Sequence, residues 1–211
     1  MAIAKPAGAE QFIPQHPTLE RMREALQTCH GCELYRRATQ GVLGEGSRHA
    51  RLVLVGEQPG NEEDLSGHPF VGPAGRLLDR ALAEAGIDRG EVYVTNAVKH
   101  FKWEERGKRR IHKKPSVVEV RACLPWLEAE IGLVKPAVIG CLGATAAQAL
   151  LGGAFRLTKE RGRALPLEGG CVAVATVHPS AILRAPDSEA RHEEYARFLN
   201  DLAVMRRLMA A

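Results

Sequence analysis

Four short apolar runs set the limits on how this chain folds. They are Arg51 to Gly56 (RLVLVG), Glu91 to Asn96 (EVYVTN), Pro136 to Leu142 (PAVIGCL) and Cys171 to Val177 (CVAVATV). A short continuous run bounded by turn residues marks a strand covered on both faces. Helical spacing fills the gaps. Leu19, Met22 and Leu26 recur in this way within Thr18 to Thr28. Pro73 opens a helix through Ala85, with Leu77, Leu78, Ala81 and Leu82 on one side and Gly86 as its stop. Ser116 caps another that runs to about Ile131, and further helices cover Ala144 to Leu151 and Ser188 to Met209. Strands alternating with helices build βαβ units. The expectation is a three-layer α/β/α fold around a central four-stranded parallel sheet. Residues 1–16 read as a loose lead-in and 17–211 as one domain, a length that suits a single full core.

In an open parallel sheet, ligands gather outside the carboxyl ends of the strands. Three of those ends carry chemistry here: Gly56-Glu57-Gln58-Pro59-Gly60, Asn96-Ala97-Val98-Lys99-His100 and His178-Pro179-Ser180. Singly, Glu57, Asn96 and His178 are loop residues fit to cap the next helix. Together at one edge they form a polar pocket with a carboxylate, an amide and an imidazole. An amide can read a pyrimidine edge, accepting the N3 proton and donating to O4. An imidazole can donate to an oxygen that becomes negative as a base departs. Phe70, between Pro69 and Gly72 in a loop, is placed as well to stack on a base as to fill the core.

Charge and cysteine usage narrow the setting. The net charge is only +4, but Lys99 to Lys114 holds eight Lys/Arg against two acids. Such runs are commonly solvated loops; beside a base pocket, this one makes a phosphate track with Phe101 and Trp103 as aromatic contacts. Within it, five cationic side chains within four positions of His112 disfavour its protonation. A neutral imidazole has a free lone pair and can act as a nucleophile. No apolar run approaches a membrane span and no signal pattern opens the chain, so a soluble intracellular protein is expected. Five cysteines are an odd number for a disulfide framework. Cys29-His30-Gly31-Cys32 is a C-x2-C knuckle, and with Cys123 and one histidine its chemistry alone points to zinc. Cys141 and Cys171 lie in apolar runs and read as core residues.

Longer blocks carry a resemblance. GEQPGNEEDLSGHPFVGPAGRLLD (56–79), TNAVKH (95–100) and VATVHPSAILR (174–184) resemble the signature blocks of the iron–sulfur, family 4 uracil-DNA glycosylases. KRRIH (108–112) resembles the insertion that defines the UdgX group of that superfamily, and Gln58 fits the UdgX variant where family 4 has a small residue. The resemblance runs from about Cys29 to Arg184. It implies that Glu57 belongs to the catalytic motif, with Gly56 and Gln58 beside it and Asp64 a further substrate contact. It also implies that Phe70 stacks on uracil, Asn96 reads its edge and His178 stabilises the leaving base. Lys99, Lys108, Arg109, Arg110 and Arg184 are the residues expected on DNA. The metal becomes a [4Fe-4S] cluster, normally held by four cysteines. His100 stands where the family has its third cysteine, so Cys29, Cys32, His100 and Cys123 are the implied ligands, the alternative being a cluster with one non-protein ligand that leaves His100 free.

The resemblance further implies that His112 captures C1′ after uracil excision, leaving a covalent single-turnover adduct with the abasic site. Two other classes stay open: a turnover glycosylase in which His112 only touches phosphate, and a non-catalytic binder of uracil-containing or single-stranded DNA. The expected partner is uracil-containing DNA, taken single-stranded, by a monomer in the bacterial cytoplasm with the nucleoid.

Overall fold

The computed structural model of this protein describes residues 8–210. Its helices are α1 (Leu19–Leu26), α2 (Asn61–Ser66), α3 (Pro73–Glu84), α4 (Val117–Val134), α5 (Ala144–Leu151), α6 (Leu157–Glu160), α7 (Pro179–Leu183) and α8 (Ser188–Ala210). The strands are β1 (Glu45–Gly46), β2 (Leu52–Gly56), β3 (Val92–Asn96), β4 (Trp103–Arg106), β5 (Arg109–His112), β6 (Val138–Leu142), β7 (Ala164–Pro166) and β8 (Val172–Thr176). The main sheet runs β1-β3-β2-β6-β8-β7. Its central four strands are parallel, as the apolar runs require. The edge strands β1 and β7 pair antiparallel and are too short to leave a sequence pattern.

Period-two geometry explains why the central runs are apolar at successive positions. Leu52 and Leu54 pack into a core with α3, α7 and α8, while Val53 and Val55 join the core under α4 and α5. A third cluster ties α1 to α4 through Met22, Leu26, Val98 and Trp126. Ser116 and Glu119 close α4 with a reciprocal capping box. The chain order reverses between β2 and β6, so a crevice opens at their carboxyl ends.

Two expectations change. The basic segment is a β-hairpin rather than a loop: β4 and β5 pair from Trp103↔His112 to Arg106↔Arg109, and Gly107 turns the chain at φ +60. Only the first part of the expected lead-in lies outside the described residues, namely 1–7. Ala9–Phe12 forms a helical turn, and Ala9 is buried in the third cluster against Gly31, where a side chain would collide with Ala9 backbone. Among the described residues no helix is long and apolar enough to cross a membrane.

Candidate active site

The crevice is a cavity of about 890 Å³ whose wall includes Glu57, Gln58, Phe70, Asn96, His112, Thr145, His178 and Arg184. Asn96 ends β3 directly beside Gly56, the last residue of β2. A Cβ on Gly56 would lie 2.3 Å from Asn96 Oδ1 and 2.9 Å from Phe70 Cζ. Gly56 therefore leaves room for both the amide and the ring. Among the described residues the Asn96 side chain has no hydrogen-bond partner, although the residue is 3% exposed. Such an amide is set to be paired by a ligand.

Phe70 adopts φ +58, a region that costs a non-glycine residue about 1 kcal/mol or more. The backbone fold that holds it needs Gly75, since a Cβ there would stand 1.6 Å from Phe70 O. Its ring lies near-parallel to that of His178, with centroids 6.1 Å apart.

His178 is the N-cap of α7, and its Nδ1 accepts the Ser180 N–H at 3.1 Å. That acceptor role assigns the proton of the neutral ring to Nε2, which becomes a donor. Burial, with Arg184 and His112 adding to it, lowers the His178 pKa to about 4, so the ring is neutral at physiological pH.

His112 ends β5, on the hairpin's inner side. Its Nε2 stands 3.5 Å from Glu57 Oε1. The Thr145 hydroxyl donates to the other Glu57 oxygen. The His112 pKa is lowered, first by burial and also by Arg184, against the pull of Glu57. The neutral state expected from the sequence is thus favoured by a different cause. Strand alternation turns the adjacent Ile111 and Lys113 away from the face that carries His112 and Arg110.

Several expected roles move. Lys99 is not on a DNA-facing surface: its side chain is fully buried and pairs with Glu130. Its Nζ also donates to Thr95 Oγ1 and Asn96 O, each at 2.7 Å. Glu130 further accepts from Gly44 N and Tyr93 Oη. Arg110 likewise turns inward, donating to Asp64 at 2.6 Å and Asn61 at 2.7 Å while its guanidinium stacks between Phe101 and Trp103. Asp64 is fully buried between Thr39 and Arg110, away from the cavity wall. Gln58 remains on the wall, but its amide holds the hairpin. It donates to Lys102 O and Lys113 O at 3.1 Å each and accepts from Lys102 N at 3.2 Å. Lys108, Arg109 and Arg184 are exposed.

Two wall residues to which the sequence reading gave no role, Thr145 and Glu63, carry polar side chains. Thr145 lies beyond a fourth strand end, Leu142-Gly143-Ala144-Thr145, whose small residues gave no chemical cue. Glu63 is a buried carboxylate accepting the Gly72 N–H at 2.9 Å. Lys114, the last cation of the basic run, lines the cavity from the hairpin's exit.

Away from this cavity, Cys29, Cys32 and Cys123 share the third apolar cluster, and Cys29 and His100 line a second cavity of about 280 Å³. Trp126 Nε1 donates to Cys29 Sγ at 3.3 Å, and Lys99 N donates to Cys123 Sγ at 3.2 Å. Among the described residues no three His, Cys, Asp or Glu side chains converge on a single-ion site. A four-iron cubane holds its ligands on different irons and so further apart than one zinc ion does. Thiolate sulfurs accepting N–H bonds within an apolar shell suit such a cluster.

A parallel sheet with a crevice at its switch point, an unpaired amide beside an aromatic ring and a neutral histidine donor describe an α/β protein whose strand-end cavity suits a planar ligand with hydrogen-bonding edges. The model of the uracil DNA glycosylase superfamily matches residues 43–203. The chain belongs to that superfamily. It is 40% identical over 174 residues to a type-4 uracil-DNA glycosylase of Thermotoga maritima, covering 82% of this chain and 87% of the relative. It is 37% identical over 178 residues to a type-4 enzyme of Pyrobaculum aerophilum, covering 80% and 86%. A type-5 uracil-DNA glycosylase of Thermus thermophilus is 35% identical over 159 residues, covering 66% and 68%.

Proposed function

We propose that this protein is a uracil-DNA glycosylase of the UdgX kind, which excises uracil and keeps the abasic sugar on His112. Excision is supported by the type-4 relatives and by the Asn96–Phe70–His178 pocket. The target nucleotide leaves the base stack to reach the cavity. Phe70 stacks on it and the Asn96 amide pairs with N3–H and O4. As the C1′–N1 bond breaks, its electron pair goes to uracil, and His178 Nε2–H donates to the developing anion. C1′ acquires oxocarbenium character.

Capture rests on one observation, His112 Nε2 at 3.5 Å from Glu57 Oε1 on the wall of the same cavity. One ring nitrogen of neutral His112 gives its lone pair to C1′. The imidazolium so formed loses the proton on its other nitrogen, with Glu57 as acceptor, so the product is a neutral N-linked sugar. The link survives because imidazole lacks the carbonyl groups that make uracil a good leaving group.

Lys108, Arg109, Lys114 and Arg184, all exposed, would meet the phosphates of single-stranded DNA. Cys29, Cys32, Cys123 and His100 would hold a [4Fe-4S] cluster, which supplies structural cross-linking of α1 to α4 and the hairpin base. A monomer acting on DNA in the cytoplasm completes the reading.

Denaturing electrophoresis with a uracil-containing single-stranded oligonucleotide tests it. The wild type should give a slow covalent band and His112→Ala should give none, releasing free uracil instead. Repeated turnover by the wild type without a band would establish the conventional glycosylase. Intact uracil after prolonged incubation would establish a binder.

A further inference from the structure

Thr145 sits at the start of α5, directly after central strand β6, and is 7% exposed. Its hydroxyl donates to Glu57 Oε2, while Oε1 of the same carboxylate faces His112. From this division of the two oxygens we propose that Thr145 is a positioning residue for covalent capture, fixing the Glu57 carboxylate so that one oxygen stays aimed at the imidazole. The proposal rests on His112 being the capturing group.

Thr145 removes a torsional freedom that Glu57 would otherwise keep. The terminal torsion of a glutamate is broad and nearly two-fold, so an untethered carboxylate sweeps past the imidazole. Thr145 suits the opposite task, because a β-branched side chain in a helix has few χ1 states. Its backbone is rooted on the sheet: Gly143 N donates to Thr176 O at 2.8 Å, and Ala147 N closes the first turn on Gly143 O. The N-cap, Gly143, has no side chain to occupy this helix end. Glu57 stands there as the anion that the positive end of α5 favours. Both ends of the link are thus carried by neighbouring central strands, β2 and β6. The hairpin that carries His112 is the separate third part, held by Gln58.

This arrangement separates excision from capture. Asn96, Phe70 and His178 act on the base, and none is bonded to Thr145 among the described residues. After the C1′–N1 bond breaks, C1′ is taken either by His112 or by water. Thr145 acts on that partition by keeping the proton acceptor in place, and the ratio of adduct to free abasic product reads it. A purely structural role as an early residue of α5 would change thermal stability and leave the ratio alone.

The experiment compares wild type, Thr145→Val and Thr145→Ser as holoproteins under single-turnover conditions with a uracil-containing single-stranded oligonucleotide. Adduct is quantified on denaturing gels and free abasic product by alkaline cleavage; melting midpoints are recorded alongside. Valine keeps the shape and removes the donor, and the ratio should fall about tenfold, the scale of losing one hydrogen bond to a charged group. Serine keeps the donor and should stay within about threefold of wild type, which sets the scale against the same bond. A Thr145→Val ratio equal to wild type overturns the role of Thr145 while leaving His112 capture standing. A Thr145→Ser ratio as low as that of valine also overturns it. A wild type that releases uracil without adduct overturns the His112 reading, and the positioning role with it.

Discussion

Replacing Lys99 by methionine separates the role the sequence suggested from the one the fold gives it. The Lys99 and Glu130 side chains are both fully buried, and Nζ makes hydrogen bonds to Glu130, Thr95 and Asn96 O. Methionine fills the volume but leaves the Glu130 carboxylate buried with Gly44 N, Tyr93 Oη and Thr95 Oγ1 as its remaining donors. Breaking one side of a buried pair costs about 3–5 kcal/mol. That is a large part of a typical total of ~5–15 kcal/mol. For a chain of this length it lowers the melting midpoint by roughly 6–20 °C. Urea unfolding followed by circular dichroism measures the loss, and Lys99→Met/Glu130→Leu should recover part of it by removing the stranded charge. A lysine on phosphate would behave otherwise: its loss would reduce the slope of log affinity against log salt by about 1 and leave unfolding unchanged. A Lys99→Met unfolding free energy within about 1 kcal/mol of wild type would overturn the buried-pair role of Lys99.

Gly56→Ala should reduce uracil excision by more than about tenfold, because the new Cβ would meet Asn96 Oδ1 at 2.3 Å and displace the reading amide; single-turnover rates that match wild type would contradict this. The His112 pKa lies below the ordinary 6.5, so the neutral imidazole persists below that value and is lost only as pH falls through the depressed pKa. Adduct formation measured against pH should therefore be flat through neutrality, and a decline beginning above 6.5 would contradict the assignment. His178, held near 4, takes up its proton later than an unfolded histidine near 6.5, so folding stability should fall as pH drops through that window. Replacing it by asparagine should flatten that part of a stability profile measured by urea unfolding.

The parallel sheet was legible because burial on both faces leaves polar side chains in β2, β3, β6 and β8 only at the carboxyl ends, at Thr95, Asn96 and Thr176. β1 and β7 were not legible, since strands of two or three residues carry no period. The hairpin was hidden by its composition: charged residues on an exposed two-stranded ribbon look like a solvated loop. Strand ends announced Glu57, Asn96 and His178 because each follows an apolar run directly. The same rule applied to β6 would have reached Thr145, but a Gly-Ala-Thr sequence offers no titratable group to notice. Lys99 and Arg110 were misplaced for a common reason. Charge counted along the chain ignores direction, and each finds its carboxylate, Glu130 or Asp64, on a distant segment. Gln58 shows the same limit, since its three bonds go to the two ends of a hairpin more than 40 positions along the chain.

The most direct test of covalent capture is to locate the link. Wild-type protein is reacted with a uracil-containing single-stranded oligonucleotide, the DNA is digested, and the tryptic peptides are sequenced by tandem mass spectrometry. The peptide containing Ile111 and His112 should carry the deoxyribose remnant, with the added mass on the His112 imidazole. A remnant on any other residue, or complete uracil release with every histidine unmodified, would contradict capture by His112.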